Sequence, residues 1–575
     1  MKTKNGLLRR ILCITASLAA AVSSLLCTSS FAASPLKTKL TSPAFVQDGE
    51  VFGLRAPVTA SELMGYFEDF VDIISPDGED LYGDDAVMSG AAVADYNGAT
   101  AAVAVYGDVN CDAKLNMRDA TALIRYFAGW GNEVYLSAAD VNRDGKASLR
   151  DVGVILRFLA GWDEQLGVTN PALCTQTLSF YDSEALSYGV TWHSRSQLAE
   201  PAVKVEPADG NGETLTFAAE ESTAKGEYIY KAVLDGLDFD ADYIYRVGDA
   251  KCSVWGEEYT LRTRPENPGS FDFLYFSDTQ YYGGAESSHW TDAFESAART
   301  APDAAFALHG GDLVEEGGTE SYWRTMIDNN AQYLCTMPLM AVSGNHETTY
   351  KGGKNTTYNH FNVSLPEQSS VQMGYYYSFD YGDVHFAFVN TNVLDENEQL
   401  TAEQYSWLEA DLKASDAKWK IVTMHNPLYS VGKYGSDPTR NSTALALREQ
   451  LLPLLGECSV DLVLQAHDHC YLRTKPIDSE GNIVYCERRN EEFCGNETEY
   501  LISPAGTVFY ETGTTGGTPG GIADGVEGEY YDSYSAGFVS SYSVITVDGD
   551  RLTVRALRPG ERDNDTLIDS FGIIK

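Results

Sequence analysis

The sequence predicts a multidomain chain in which an α/β domain with flanking helices follows an all-β sandwich and a small all-α module. Three observations carry this. From Phe271 onward, apolar runs of strand length alternate with stretches of helical spacing such as Glu403 to Leu412. Residues 168–264 instead show short alternating segments broken by turn residues. Between Asp108 and Asp151 a twelve-residue loop rich in Asp and Asn occurs twice, each copy running into an amphipathic helix. A length of 575 residues leaves room for three to five folded units of roughly 100–200 residues each. The expected boundaries are 1–32, 35–105, 106–163, 168–264 and 270–575.

The first segment reads as an export signal. Lys2, Lys4, Arg9 and Arg10 precede the apolar run Ile11 to Leu26, and Ser30-Phe31-Ala32-Ala33 suits cleavage after Ala32 or Ala33. The expected location is therefore secreted and extracellular, and no later run reaches transmembrane length. Eight of the 10 Cys lie beyond the signal, an even number that permits disulfides in an exported chain. Cys486 and Cys494 are close enough in sequence to staple a loop, and Cys174 and Cys252 sit near the two ends of one candidate domain. Residues 35–105 are expected to form a small β-rich companion module.

Charge excludes one class of function. Lys+Arg is 41 against Asp+Glu 83, a net of −42, with no basic cluster outside the first ten residues. Binding a nucleic-acid backbone needs a basic stripe that releases counterions. A general nucleic-acid binder is excluded, whereas a small phosphate ester held through metal ions is not.

In the duplicated segment, Asp108, Asn110, Asp112, Asn116 and Asp119 occupy positions 1, 3, 5, 9 and 12 of a calcium loop. Asp140, Asn142, Asp144, Ser148 and Asp151 repeat the pattern 32 residues later. Lys114 and Lys146 fall at position 7, which supplies only a backbone carbonyl. Both helices end in Ala-Gly-Trp, at Trp130 and Trp162. Two Ca²⁺ sites are expected. Ala113 stands where Gly145 stands in the second copy, and a left-handed Ala costs about 1–2 kcal/mol, so the first site is expected to be the weaker. From Tyr106 to Trp162 the chain resembles a type I dockerin, which implies docking to a cohesin module of an extracellular, cellulosome-like scaffold. Where that family often carries a hydroxyl pair, this chain has Met117-Arg118 and Leu149-Arg150.

Tyr188 to Trp192 and Tyr243 to Val247 are the clearest strands of the sandwich, and Leu237 with Tyr243 resembles the corner of a fibronectin type III-like domain. Its expected role is a spacer packed on its neighbour.

The chemistry lies further on. Phe271 to Ser277 runs into Asp278; Ala304 to Leu308 leads to Gly310-Gly311-Asp312; Leu339 to Val342 leads to Gly344-Asn345-His346-Glu347. Ile421 to Met424 leads to His425, and Leu462 to Leu464 leads to His467-Asp468-His469. Ligands of α/β sheets collect at the carboxyl ends of strands, so these ends should form one rim. Of the 9 His in the chain, His346, His425, His467 and His469 fall there. His385 inside its strand reads as a core residue, His309 as pointing away, and His193, His289 and His360 as structural or surface residues. Carboxylate, amide and imidazole donors together suit Zn, Fe or Mn. Two such ions about 3.5–4 Å apart clamp the attacking and leaving oxygens of a phosphoryl transfer. Asp312, behind two glycines that permit close backbone approach, is the natural bridge.

These five blocks resemble the calcineurin-like metallophosphoesterases, and with the preceding sandwich, from Val168 to Lys575, their purple acid phosphatase-like branch. The resemblance implies an α/β four-layer β-sandwich with flanking helices. It implies one metal on Asp278, Asp312, His469 and Gln280, the other on Asp312, Asn345, His425 and His467. His346 would face the substrate, stabilising its developing charge or protonating the leaving oxygen. Four positions depart from the pattern. Glu315 replaces a tyrosine ligand, Gln280 the usual histidine, Ala466 a glycine, and Tyr434 lies where plant relatives carry substrate-contacting histidines. The expected function is hydrolysis of phosphate monoesters or diesters on an extracellular scaffold. The rival is a non-catalytic binding protein on the same fold; a further one is a calcium-dependent adhesion protein.

Overall fold

The structure is a computed structural model that describes residues 36–575 apart from 132, 144–145, 163–165, 183, 284–287, 351–355, 367–374, 434–441, 527 and 561–564. The segment expected to be an export signal, together with Asp144, Gly145 and Tyr434, lies outside the described residues. Two compact units divide the chain. One takes the described residues up to Leu173 with Ser194–Ala202 and Arg246–Glu257, the other Cys174–His193, Val203–Tyr245 and Glu258–Lys575. Among the described residues no helix is long and apolar enough to cross a membrane.

In the first unit, six strands between Phe45 and Tyr106 form one sheet, with Thr100–Tyr106 and Ala92–Asp95 at its centre. Val51, Val93, Val103 and Val105 fill its core. The duplicated segment supplies helices Met117–Phe127, Leu136–Ala139 and Leu149–Leu159. The two longer helices start alike: Asn116 and Ser148 each cap the first turn, and Asp119 and Asp151 reach back to the cap's N–H. Leu123 and Ile155 are buried on their inner faces.

In the second unit, Cys174–Phe180 pairs antiparallel with Tyr188–Ser194, and Leu215–Ala224 with Glu227–Leu234. Trp192 is fully buried and stacks on Tyr230 at 5.4 Å. The Tyr243 hydroxyl accepts from the Asp238 N–H at 3.1 Å, tying the strand to the turn before it. These strands belong to one eight-stranded sheet, where the sequence predicts a sandwich, and Gly189 lets it approach the segment at residue 362, because a Cβ there would lie 1.8 Å from the Asn362 carbonyl oxygen. Gly189→Ala is expected to destabilise this unit by about 1–3 kcal/mol through overpacking, read as a lower Tm; an unchanged Tm would show that the two segments part freely.

The rim strands belong to two sheets. Phe271–Phe276, Phe306–His309 and Leu339–Ala341 run parallel at one end of an eight-stranded sheet. Its remaining strands include Tyr542–Asp548 and Arg551–Arg558, paired antiparallel. Val384–Val389, Trp419–Met424, Leu462–Gln465 and Val508–Thr512 run parallel within a seven-stranded sheet. The sheets meet through Phe273, Phe306 and Phe386, whose ring centroids lie 5.3–5.4 Å apart. Helix Ser288–Thr300 packs Trp290 and Phe294 on Phe276 of the first sheet. Helix Ala402–Ala414 sets Leu408 and Leu412 against Val422 and Met424 of the second. The rim thus draws three strand ends from one sheet and two from the other.

None of the eight described cysteines is paired. Cys486 and Cys494 flank the extended strand Glu487–Phe493. At about 3.3 Å per residue this holds them roughly 25 Å apart, far beyond disulfide reach. Cys174 is buried and Cys252 part-buried, both as free thiols.

Candidate metal centre

The sequence reading brings Asp278, Gln280, Asp312, Asn345, His346, His425, His467 and His469 to one place, and the structure does the same. Ligand atoms of Asp312, His425 and His467 lie within 4.8 Å of one another, as do those of Asp278, Asp312 and His469. Asp312 belongs to both sets. Asp278, Asp312 and His425 are almost completely buried, while a cavity of about 430 Å³ opens beside Gln280, Asn345, His346, His467 and His469.

The backbone adopts an unusual shape to deliver these side chains. Asp278, Gln280, Asp312, His467 and His469 all have positive φ, between 44° and 78°. Each non-glycine residue in that region costs about 1–2 kcal/mol, and such strain gathers at functional sites. Hydrogen bonds hold it in place: Asp278 N–H donates to Gly311 O at 3.0 Å and Gln280 N–H to Asp312 O at 2.8 Å. Glycine is required at 344, where a Cβ would lie 2.0 Å from Asp312 Oδ1.

Hydrogen bonding fixes which nitrogen each imidazole presents. His425 Nδ1–H donates to Gly310 O at 2.8 Å, leaving the Nε2 lone pair facing Asn345 Oδ1 at 3.1 Å, His467 Nδ1 at 3.1 Å and Asp312 Oδ2 at 3.4 Å. His469 Nδ1–H donates to Thr518 O at 2.6 Å, turning Nε2 towards Asp278 Oδ1 at 3.4 Å. Acceptors converge on acceptors, an arrangement that a cation between them stabilises. Electrostatics say the same. Burial works against charge on His425, yet Asp312, Asp278 and the Gly310 carbonyl raise it to about 9. His469 rises to about 9 against burial through Asp278. His467 falls to about 3 through burial and the charge of His425. The donor set therefore fits two transition-metal ions with Asp312 shared.

His346 sits at the cavity side. Its Nδ1–H donates to Glu315 O at 2.5 Å and its Nε2 lies 3.2 Å from Gln280 Nε2 and 3.7 Å from Asp312 Oδ2. Glu315 keeps its carboxylate 3.7 Å from His346 Nδ1. His309 turns away from the rim, bonded to Thr279 Oγ1 at 2.8 Å and to Gly311 N–H at 3.1 Å. His385 is held between Asp380 at 2.7 Å and Asp411 at 2.9 Å.

Sequence reasoning assigned no role to Glu347. Fully buried, it accepts from Asp312 N–H at 2.9 Å, Gly344 N–H at 2.8 Å and Val314 N–H at 3.2 Å. Burial and the charge of Asp312 raise it to about 7. A Glu three residues after a helix-opening Gly is a capping signal that could have marked it. Thr518, whose carbonyl orients His469, and Lys433, which lines the cavity, were also missed. No sequence pattern announces a backbone carbonyl.

The first of the duplicated loops gathers Asp108, Asp112 and Asp119 with ligand atoms within 4.8 Å of one another. Asp108 takes N–H bonds from Ser89 at 2.9 Å and Asp112 at 2.9 Å. Burial, above all, raises Asp119 to about 6. Asn110 Oδ1 accepts from Asp112 N–H at 3.1 Å, Lys114 N–H donates to Asp112 Oδ1 at 3.1 Å, and Asn116 caps the helix. Ala113 has the expected left-handed φ, 60°. In the second loop Asp140 and Asp151 are buried, Asn142 N–H donates to Asp151 Oδ1 at 3.3 Å, and Ser148 caps the helix. Lys146 is described there; Asp144 is not.

Residues 271–471 match the family of calcineurin-like phosphoesterases, 174–263 the purple acid phosphatase N-terminal domain, and 106–160 the dockerin type I domain. An uncharacterized protein of Mycobacterium tuberculosis is 27% identical over 337 residues, covering 52% of this chain and 62% of that protein. Purple acid phosphatase 21 of Arabidopsis thaliana is 28% identical over 259 residues, covering 43% of this chain and 54% of that one. The chain thus spans between half and two thirds of the length of these curated relatives. The solved structure of a purple acid phosphatase from yellow lupin (Lupinus luteus) seeds shares the fold, with a TM-score of 0.59 at 21% identity, covering 70% of this chain and 74% of that one. By its matched segments, the chain joins a calcineurin-like metallophosphoesterase domain to a purple acid phosphatase N-terminal domain and carries a dockerin type I match.

Proposed function

We propose that the protein is an exported dinuclear-metal phosphoester hydrolase, acting on mono- or diesters and tethered to an extracellular scaffold by a calcium-dependent dockerin–cohesin contact. The observation that carries the catalytic reading is Asp312, shared by two donor sets and lining a cavity. Asp278, Gln280, Asp312 and His469 would hold one ion, and Asp312, Asn345, His425 and His467 the other. When bound, such a pair supplies Lewis acidity and activates water as the nucleophile.

The protein's own groups do the rest. The Gly310 and Thr518 carbonyls keep His425 and His469 in the tautomers that face the rim. The Glu315 carbonyl aims His346 Nε2 at the cavity, where it would stabilise developing charge on the ester or pass a proton to the leaving oxygen. Lys433 adds positive charge to the same wall. Glu315 offers no phenolate, so neither purple colour nor a preference for a ferric site is expected. In the duplicated module, Met117, Trp130, Leu149 and Trp162 are more than half exposed, and exposed apolar side chains of this kind support a docking partner.

Metal analysis alongside hydrolysis of an aryl phosphate and an aryl phosphodiester tests the reading. Turnover should be removed by a chelator and restored by zinc, manganese or iron. Two transition-metal equivalents should disappear in a rim-disabled variant, His425→Ala/His467→Ala/His469→Ala. No hydrolysis after reloading would leave a binding protein in place of an enzyme.

A further inference from the structure

We propose that His193, Glu320 and His360, with Glu227 beside them, form a separate, structural transition-metal site of the zinc class. It lies where the sandwich meets the phosphoesterase region. Four distant pieces of sequence supply it: His193 from strand Tyr188–Ser194, Glu227 at the start of strand Glu227–Leu234, Glu320 at the start of helix Glu320–Asp328, and His360 just after the turn Thr356–Asn359. Both histidines are completely buried, and the Glu227 and Glu320 side chains are 11% and 16% exposed.

The distances fit a closed site. Ligand atoms of His193, Glu320 and His360 lie within 4.8 Å of one another. His193 Nδ1 is 3.3 Å from Glu320 Oε1 and 3.3 Å from Glu227 Oε2, and His360 Nε2 is 3.7 Å from Glu320 Oε2. Donors bound tetrahedrally to zinc at 2.0–2.1 Å stand about 3.3–3.4 Å from each other. Two imidazoles and carboxylates are the mixed nitrogen and oxygen set that borderline divalent ions take.

Hydrogen bonding makes the stronger argument. The His193 Nε2–H donates to Asn359 O at 3.1 Å, so the Nδ1 lone pair faces two carboxylates. Neither nitrogen of His360 has a hydrogen-bond partner among the described residues, and nor does Glu320 Oε1. Trp323 stacks on the His360 ring at 4.1 Å and His193 at 5.0 Å, so that ring can reach a partner only through its edge. A proton on His193 would answer the carboxylates and leave His360 unsatisfied. One cation answers all three residues. Arg324 pairs with the other oxygen of Glu227 and closes that side.

The site also has a structural purpose. The turn after which His360 follows supports the rim loop: Thr356 Oγ1 donates to Glu347 O at 3.2 Å and Ser343 Oγ to Thr357 Oγ1 at 2.8 Å. An ion here would pin the sandwich strand to the segment beneath Asn345 and His346.

The test uses the rim-disabled full-length protein, exposed to zinc and dialysed with calcium present. It should retain one zinc equivalent, and a chelator should lower its Tm. That equivalent should vanish in His193→Ala or His360→Gln added to the same background. Should either variant fail to fold, Glu320→Gln, which keeps the shape and removes the charge, gives the same readout. With the rim intact, His360→Gln should lose one equivalent and keep the two at the rim. Zinc-free rim-disabled protein, or zinc that survives all three substitutions, would overturn the proposal. Because the rim and this site are counted separately, failure here leaves the hydrolase reading untouched.

Discussion

Asp312→Asn is expected to abolish phosphoester hydrolysis while leaving the fold intact. The side chain is 1% exposed, and its ligand atoms lie within 4.8 Å of those of Asp278, His425, His467 and His469. Oδ1 accepts from His346 N–H at 2.9 Å, and Oδ2 lies 3.3 Å from Gln280 Nε2 and 3.4 Å from His425 Nε2. Asn keeps the volume and one carbonyl oxygen, so the His346 bond survives. What it removes is the negative charge shared by two donor sets, and its NH₂ turns a donor towards an ion. Loss of a residue that merely supports a ligand already costs roughly 10–100-fold in affinity or activity. Loss of the shared ligand should cost on the order of a thousandfold or more in kcat. The measurements are kcat with an aryl phosphate, metal equivalents, and the Tm of the metal-free protein. Unchanged turnover would end the assignment of Asp312 as the bridge.

The residues of this site were legible because metal chemistry leaves strong local marks. Asp, Asn and His are rare at the ends of apolar runs, and five such ends in one region called for one explanation. The strands before His425 and around His385 were readable for a related reason: buried parallel strands are continuous apolar runs with sharp ends. Their assignment to two sheets was not readable, since parallel runs look alike whichever sheet they join. Distance in sequence misled in the case of Cys486 and Cys494, because seven residues of extended strand separate what seven residues of loop could bring together. The cluster of His193, Glu227, Glu320 and His360 was invisible for the opposite reason. Each member sits alone in its own segment, and only packing of the sandwich on the helix at Glu320 gives the set a shared chemistry.

Glu347→Ala should damage both stability and metal binding, although Glu347 contacts no proposed ion. Its carboxylate is the acceptor for three buried N–H groups, two of which, Asp312 and Gly344, shape the turn around the shared ligand. Each buried donor left without a partner costs about 1–3 kcal/mol. Removal of all three bonds is therefore expected to cost roughly 3–9 kcal/mol by the same scale. Asp312 holds a left-handed φ of 55°, and without that anchor its side chain loses the position that both donor sets need. Glu347→Gln provides the graded control. Asp312 and Gly344 both donate to Oε2, whereas Val314 alone donates to Oε1. A Gln placing its oxygen at the Oε2 position keeps two bonds and sets its NH₂ against the Val314 N–H. Its loss in Tm should be smaller, with metal equivalents largely retained. The order wild type, Gln, Ala in both Tm and metal content is the expected result. Ala with wild-type metal content and Tm would show that the rim loop holds its shape without this carboxylate, and the positioning role would fall.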